Sequence, residues 1–269
     1  VDLRKLRYFV AVARHLHFGR AAAELHIAQP VLSRQIRALE GELRVELFRR
    51  DRRSTELTEA GHRLLAGAGP LLAAAEALRR RVAAPDRFVV AFMPGLLVTG
   101  AVRRLRDRHP GLAVEVLRTT WSDQVEVLRD GRADVSYLRL PADRRGLTVR
   151  PLTSEPRVVV LPVGHRLAGK DSVAIADLAA ETLLQNPEAV PEWGEAATAP
   201  VPAHSVEEKL EYVAAGRGIV VLPLSTATYY TRPDVTWSRI TDIPDNQVVL
   251  AWLSERRDAL LTEYAELAL

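Results

Sequence analysis

The stretch Phe18–Glu40, FGRAAAELHIAQPVLSRQIRALE, decides how the first part of the chain folds. Phe18, Ala21, Ala22 and Leu25 recur at spacings that place them on one helical face, and Leu32, Ile36 and Leu39 form a second such stripe. Pro30 is tolerable only near the start of the second helix, where a missing N–H is harmless. Ala22 is small where two steeply crossing helices need close approach. Turning both stripes inward leaves Gln29, Ser33, Arg34 and Arg37 outward. Gln can bond an adenine edge through both ends of its amide, Arg a guanine edge, and Ser a base or a phosphate. The layout is that of a helix-turn-helix, although spacing alone also fits an amphipathic helix pair with a solvated basic face.

Upstream, Leu3, Leu6, Val10 and Ala13 predict a first helix over residues 3–14 that packs behind this pair. Downstream, two short β-rich runs at residues 46–49 and 55–58 flank the polar turn DRRS, which predicts a wing with Arg50, Arg52 and Arg53 near its tip. Residues 58–81 then read as one long helix capped by Thr58. Its Leu64, Ala68, Leu71, Ala75, Leu78 and Val82 alternate spacings of four and three, a heptad seam that asks for a second copy of itself. Gly67, Gly69 and Pro70 interrupt the seam, and Pro70 is expected to kink the helix. Pro85 and Asp86 mark a boundary.

From Arg87 onward strands and helices alternate. RFVVAF, LAVEVLR, ADVSYLRL and RVVVLP are β-rich, with VTGAVRRLRDRH and SDQVEVLRDG helical between the early ones. IADLAAE (helix), ETLLQ (strand), SVEEKLEYVAAG (helix) and GIVVLP (strand) follow, then strands VTWSRI and VVLAWL and a closing helix at 259–267. The pattern predicts βαβ units on a parallel sheet. Pro187, Pro191, Pro200 and Pro202 make residues 187–203 an irregular connection.

Composition narrows the function classes. With 48% hydrophobic and 26% charged residues the chain is ordinary for a globular protein, and no apolar run reaches membrane-spanning length. The N-terminal VDLRKLRYFV lacks a secretory pattern, so a cytoplasmic location is expected, without a membrane partner. Zero cysteines exclude disulfides, thiolate metal sites and a cysteine nucleophile. Residues 1–60 carry 12 Lys and Arg against 8 Asp and Glu, whereas the remainder carries 25 against 26, which places the excess positive charge on the helix-turn-helix. No HExxH, GxSxG, GxGxxG or phosphate-loop pattern occurs, and the seven histidines are dispersed, so neither an enzyme nor a metal or other cofactor is expected. The α/β body alone would also suit a solute-binding receptor, a reading that the head and the missing signal oppose.

LRKLRYFVAVA, then AAAELHIAQPVLSRQIRALEGELRVELFRR and LTEAG, resemble the N-terminal domain of the LysR-type transcriptional regulators almost position by position, and the resemblance extends over the whole chain. It implies a winged helix-turn-helix (1–57), a dimerising linker helix (58–84) and an effector-binding domain (85–269) of two Rossmann-like subdomains, as in type 2 periplasmic binding proteins. Crossovers placed near Pro162 and Asp234 divide that domain into 87–162 with 235–269, and 163–234. The family's DNA contacts carry over to Gln29, Pro30, Ser33 and Arg34. Arg37 is added from helix geometry, and Arg52 and Arg53 from the wing. Leu97, Thr99, Thr120, Trp121, Ser122, Leu161, Gln185, Ser205 and Pro223 fall on loops expected to face the effector, with Thr99 and Ser122 at helix starts that could hold an anion. Arg118, Arg139, Arg144 and Arg145 make an anionic effector conceivable.

The implied partners are double-stranded DNA at an inverted repeat, a second copy in a homodimer, a homotetramer through the effector domains and, for an activator, RNA polymerase. Three departures stand out. Arg44 lies where the family commonly has glycine, and His17 and Gly19 replace the usual Ser and Thr beside Phe18, which predicts a weaker cap. The prolyl stretch 187–203 stands where many members carry a further helix.

Overall fold

A computed structural model describes residues 2–50, 54–83, 86–194, 198 and 205–269. Two compact units divide the chain: Val1–Pro85 with Arg129–Gly131, and Asp86–Leu128 with Arg132–Leu269.

In the first unit, α1 (Leu3–His15), α2 (Phe18–Glu24) and α3 (Gln29–Leu43) precede the hairpin β1 (Phe48–Arg50) and β2 (Thr55–Leu57) and the long helix α4 (Glu59–Ala83). The predicted stripes are its core: Phe9, Ala21, Leu32, Ile36 and Leu39 are completely buried. Phe48 of the wing stacks on Phe9 and Phe18, with ring centroids 5.3 and 5.8 Å away. The Glu40 carboxylate accepts from the Leu47 and Phe48 N–H groups at 3.0 and 3.3 Å, fastening the wing to α3.

Both cap departures have structural answers. His17 caps α2 after all, its imidazole Nδ1 accepting from the Arg20 N–H at 3.2 Å. Arg44 does adopt the left-handed conformation that favours glycine, with φ +55°. Such backbone costs a side chain about 1–2 kcal/mol.

α4 is capped as expected, the Thr58 hydroxyl accepting from the Gly61 N–H at 3.0 Å. The helix runs unbroken through Pro70. The heptad seam is divided. Ala68 is buried within the first unit's own core, with Leu64 packed against it, because α4 begins by covering α1. Further along, Leu71, Leu78 and Val82 are exposed.

The second unit opens with β3 (Arg87–Phe92), α5 (Thr99–Arg108), β4 (Ala113–Arg118), α6 (Glu126–Arg129), β5 (Val135–Arg139) and β6 (Leu147–Glu155). It continues with β7 (Arg157–Pro162), β8 (Ser172–Val173), α7 (Val206–Ala214), β9 (Val220–Pro223) and α8 (Leu224–Tyr229), then β10 (Val235–Ile240), β11 (Asn246–Leu253) and α9 (Ala259–Leu267). Two sheets result, ordered β4-β3-β5-β11-β6 and β8-β10-β7-β9. The expected parallel sheet holds for β4, β3 and β5, but β11 runs antiparallel to β5 and β6, so the sheet is mixed. Apolar side chains cover both faces of this sheet: Phe88, Val90 and Leu250 on one, Val89, Ala91 and Val249 on the other.

Several expectations need correction. β7 and β10 pair with each other in the second sheet, from Val235 opposite Pro162 to Arg239 opposite Val158. The chain therefore passes between sheets at Pro156 and returns between Ile240 and Asn246, not near Pro162 and Asp234. β6 was not foreseen, because Pro151 breaks its pattern. An edge position and a register shift opposite Val248 and Val249 accommodate that proline. SDQVEVLRDG keeps only the four helical residues of α6, IADLAAE is a 3-10 turn at Ile175–Leu178, and ETLLQ contributes only bridges at Leu183. The prolyl stretch forms 3-10 turns at Pro187–Ala189 and Pro191–Trp193 before leaving the described residues. No helix among the described residues is long and apolar enough to cross a membrane.

Candidate functional site

Helix α3 presents the first candidate surface. Its buried stripe fixes its roll, so Gln29, Pro30, Arg34 and Arg37 are exposed and Ser33 is half-buried at the edge of the stripe. Pro30 occupies the first turn. Several other cations of this unit are matched by carboxylates: Lys5 with Glu42, Arg7 with Glu76, and Arg14 with Glu24. Hydrogen bonds from His15 and then Arg14 hold the Glu24 carboxyl below its ordinary value. Among the described residues neither Arg34 nor Arg37 has such a partner. The face is thus pre-organised and electrostatically uncommitted, as a surface that receives phosphates and base edges requires. Arg52 and Arg53 lie outside the described residues.

The second site is a cavity of about 830 Å³, mouth included, between the two sheets of the second unit. It opens at the carboxyl ends of β3, β4 and β5, where the chain leaves central β3 first toward β4 and then toward β5. Such a switch point leaves a crevice between diverging loops. Met93 and Pro94 follow β3, Thr119, Thr120 and Trp121 follow β4, and Arg139 ends β5. The second sheet's side contributes Gln185, Ser205, Lys209 and the β9 residues Val221–Pro223. Gly95, at φ +83°, brings the loop after β3 against α8, where a Cβ would stand 2.7 Å from the Thr226 nitrogen.

Arg139 is the hub of this region, with 2% of its side chain exposed. It pairs with Glu155 and donates to Ser225 Oγ at 2.9 Å, the Pro94 carbonyl at 3.2 Å, and Asn246 Oδ1 and Thr226 Oγ1 at 3.3 Å each. Burial pushes its pKa down against the pull of Glu155. Because Ser225 and Thr226 lie on α8, this one guanidinium ties the first sheet to the second. Gln124 clamps the Arg139 peptide, accepting its N–H at 2.9 Å and donating to its carbonyl at 3.3 Å. Gln185 does the same for Val221, at 2.9 and 3.1 Å.

Of the nine expected effector residues, Thr120, Trp121, Gln185, Ser205 and Pro223 line the cavity. Leu97 does not, being 87% exposed on the loop before α5, and Leu161 is completely buried in the second sheet's core. Thr99 is the first residue inside α5, whose N-cap is Val98, and Ser122 lies in a turn ahead of α6, so neither fills the anion-holding role expected of it. Several polar lining groups are additional to the expected set: Thr119, Arg157, Lys209, Thr226 and Asn246. Arg118 and Arg139 line the cavity, but Arg144 and Arg145 do not.

A helix-turn-helix with an outward-facing second helix in one unit and a two-sheet cavity in the other are the parts of a DNA-binding transcription regulator with a small-molecule domain. Comparison with known proteins specifies the class. The profile of the bacterial regulatory helix-turn-helix protein, lysR family, matches residues 3–62, and that of the LysR substrate binding domain matches residues 74–269. The chain belongs to the LysR family of transcriptional regulators. It is 31% identical to the HTH-type transcriptional regulator AlsR of Bacillus subtilis, covering 100% of this chain and 95% of that one. To BudR of Raoultella terrigena it is 28% identical over 99% of this chain and 100% of that one. The crystal structure of CbnR, a LysR family transcriptional regulator, superposes with a TM-score of 0.67 at 25% identity, covering 100% of this chain and 98% of that chain.

Proposed function

We propose that a small molecule held in the cavity between the two sheets shifts their arrangement and thereby changes how paired α3 helices meet an inverted repeat. A ligand can do this only by binding one arrangement more tightly than the other. The observation that carries the reading is the composition of the cavity wall, drawn from both sheets and tied by Arg139 to α8. Gln29, Pro30, Ser33 and Arg34 read bases and Arg37 holds a phosphate; Arg52 and Arg53, outside the described residues, are further DNA-contact candidates. The exposed Leu71, Leu78 and Val82, with Ala75 between them, are the seam for a second copy. Pairs associate further into a tetramer.

Fluorescence anisotropy on promoter fragments tests the head. Arg34→Ala should cost about 1–3 kcal/mol on the specific site and relax preference at one base pair. Arg37→Ala should weaken binding to every sequence and reduce the salt slope by about one. Unchanged specificity in Arg34→Ala refutes the assignment of the reading face.

A further inference from the structure

The cavity takes four cationic side chains into its lining, Arg118, Arg139, Arg157 and Lys209, and no carboxylate among the described residues. Three of the four are matched from behind: Arg118 by Glu207 at 3.0 Å, Arg139 by Glu155, and Arg157 by Glu192 at 2.6 Å. Lys209 is not matched among the described residues, although acidic side chains crowd its own helix. Glu207 is engaged by Arg118, Glu208 caps the Ser205 N–H at 3.2 Å, and Glu211 is taken by Arg232 at 2.6 Å. Burial alone lowers the Lys209 pKa, with no compensating carboxylate. Two other atoms of lining residues, the Thr119 hydroxyl and Arg139 Nε, also lack a hydrogen-bond partner, but both are closed off from the cavity itself. A half-buried ammonium with no counter-charge is costly unless something completes it. The rest of the lining is largely apolar, with Met93, Pro94, Trp121, Ala189, Leu222 and Pro223.

Resting on the effector-site reading above, we infer that the effector is a small monoanion, a carboxylate on a compact apolar body, whose charge is read by Lys209. The tally of charges sets the valence. One cation is left over, so a dianion would place an unmatched charge in a poorly hydrated cavity, and a neutral ligand would leave Lys209 unmatched.

The test uses the full chain with benzoate and hexanoate as probes, their primary amides as neutral counterparts, and phthalate and adipate as dianions. Binding is followed by thermal shift and by tryptophan fluorescence, since Trp121 lies in the wall. At least one monocarboxylate should bind at least tenfold more tightly than its amide and its dianion. Lys209→Gln should reduce the acid-to-amide ratio to within about twofold, Lys209→Arg should restore most of it, and both unliganded variants should melt no lower than the parent. An acid preference that survives in Lys209→Gln, equal binding of amides, tightest binding of dianions, or no monocarboxylate bound would each overturn the inference. Ala189→Phe, which fills the cavity, separates the two levels. Ligand binding indifferent to it removes the effector-site reading itself, whereas amide binding that it blocks leaves that reading standing and removes only the charge assignment.

Discussion

Replacing Arg139 by methionine probes the tie between the sheets. The substitution keeps the aliphatic stem and removes five donor contacts, to Glu155, Asn246, Pro94, Ser225 and Thr226. Glu155 is itself largely buried, at 13% exposure, so its carboxylate is left without its counter-charge. Breaking a buried pair from one side costs about 3–5 kcal/mol. For a unit of this size each kcal/mol moves the melting temperature by roughly 2–4 °C, so a fall of about 6–20 °C is expected. Glu155→Gln should restore much of that loss in the double variant, since the amide oxygen can still accept the Ser225 N–H now bound at 2.8 Å. The chain offers a selective assay: its four tryptophans, at positions 121, 193, 237 and 252, all lie in the second unit, so indole fluorescence reports that unit's unfolding. Additivity of the two single losses to within about 0.5 kcal/mol would refute the coupling, because residues that share a buried ion pair should be far from additive.

Three further outcomes follow from particular residues. Arg44→Gly should stabilise the first unit by up to about 1 kcal/mol in urea denaturation followed by circular dichroism, since glycine relieves the φ of +55° and the gain exceeds the added unfolded-chain entropy. Leu78→Glu places a charge on a residue 57% exposed in the single chain, so the chain's own fold should be unchanged while light scattering reports a smaller assembly; an unaltered mass rules Leu78 out of the seam. Burial tends to raise the Glu181 pKa, but bonds from His165 and Arg166 win and lower it below the ordinary 4.5. Its stabilising contribution is therefore complete above about pH 4.5 and is lost as pH falls through the depressed folded value. Glu181→Gln should accordingly flatten the decline in melting temperature on the acid side of pH 4.5 and leave the slope near pH 7 unchanged.

The head was legible because helix periodicity fixes orientation as well as element type. Once Leu32, Ile36 and Leu39 turn inward, the outward set at Gln29, Arg34 and Arg37 has no freedom left. Sheet membership had no comparable signal. RVVVLP and VTWSRI suit either sheet, and only their pairing with each other, rather than with β5 or β11, sends the crossovers to Pro156 and to the segment after Ile240. The seam was misread at its start for a related reason: Ala68 keeps the heptad spacing, but α1 reaches that side of α4 first. His17 escaped because imidazole is an uncommon cap, although any acceptor at that position serves the Arg20 N–H.

The cavity was the least legible feature, and its chemistry explains why. Its polar groups come from strand ends and helix starts far apart in sequence, and what matters is which of them has already been neutralised. Four arginines were visible as a possible anion site, yet the two that line the cavity, Arg118 and Arg139, are both matched by carboxylates more than 15 residues away. Lys209 sits in SVEEKLEYVAAG, where a lysine among glutamates reads as one side of a solvated, self-compensating helix face. The compensation fails only because Arg118, Arg232 and the Ser205 cap reach those glutamates first. Gln185 shows the converse. It was expected to touch the effector, and it does line the wall, but both ends of its amide are committed to Val221. Selectivity in such a cavity is therefore set less by which polar residues face it than by which of them the fold has left without a counter-charge, and among the charged groups of this wall, within the described residues, that is Lys209.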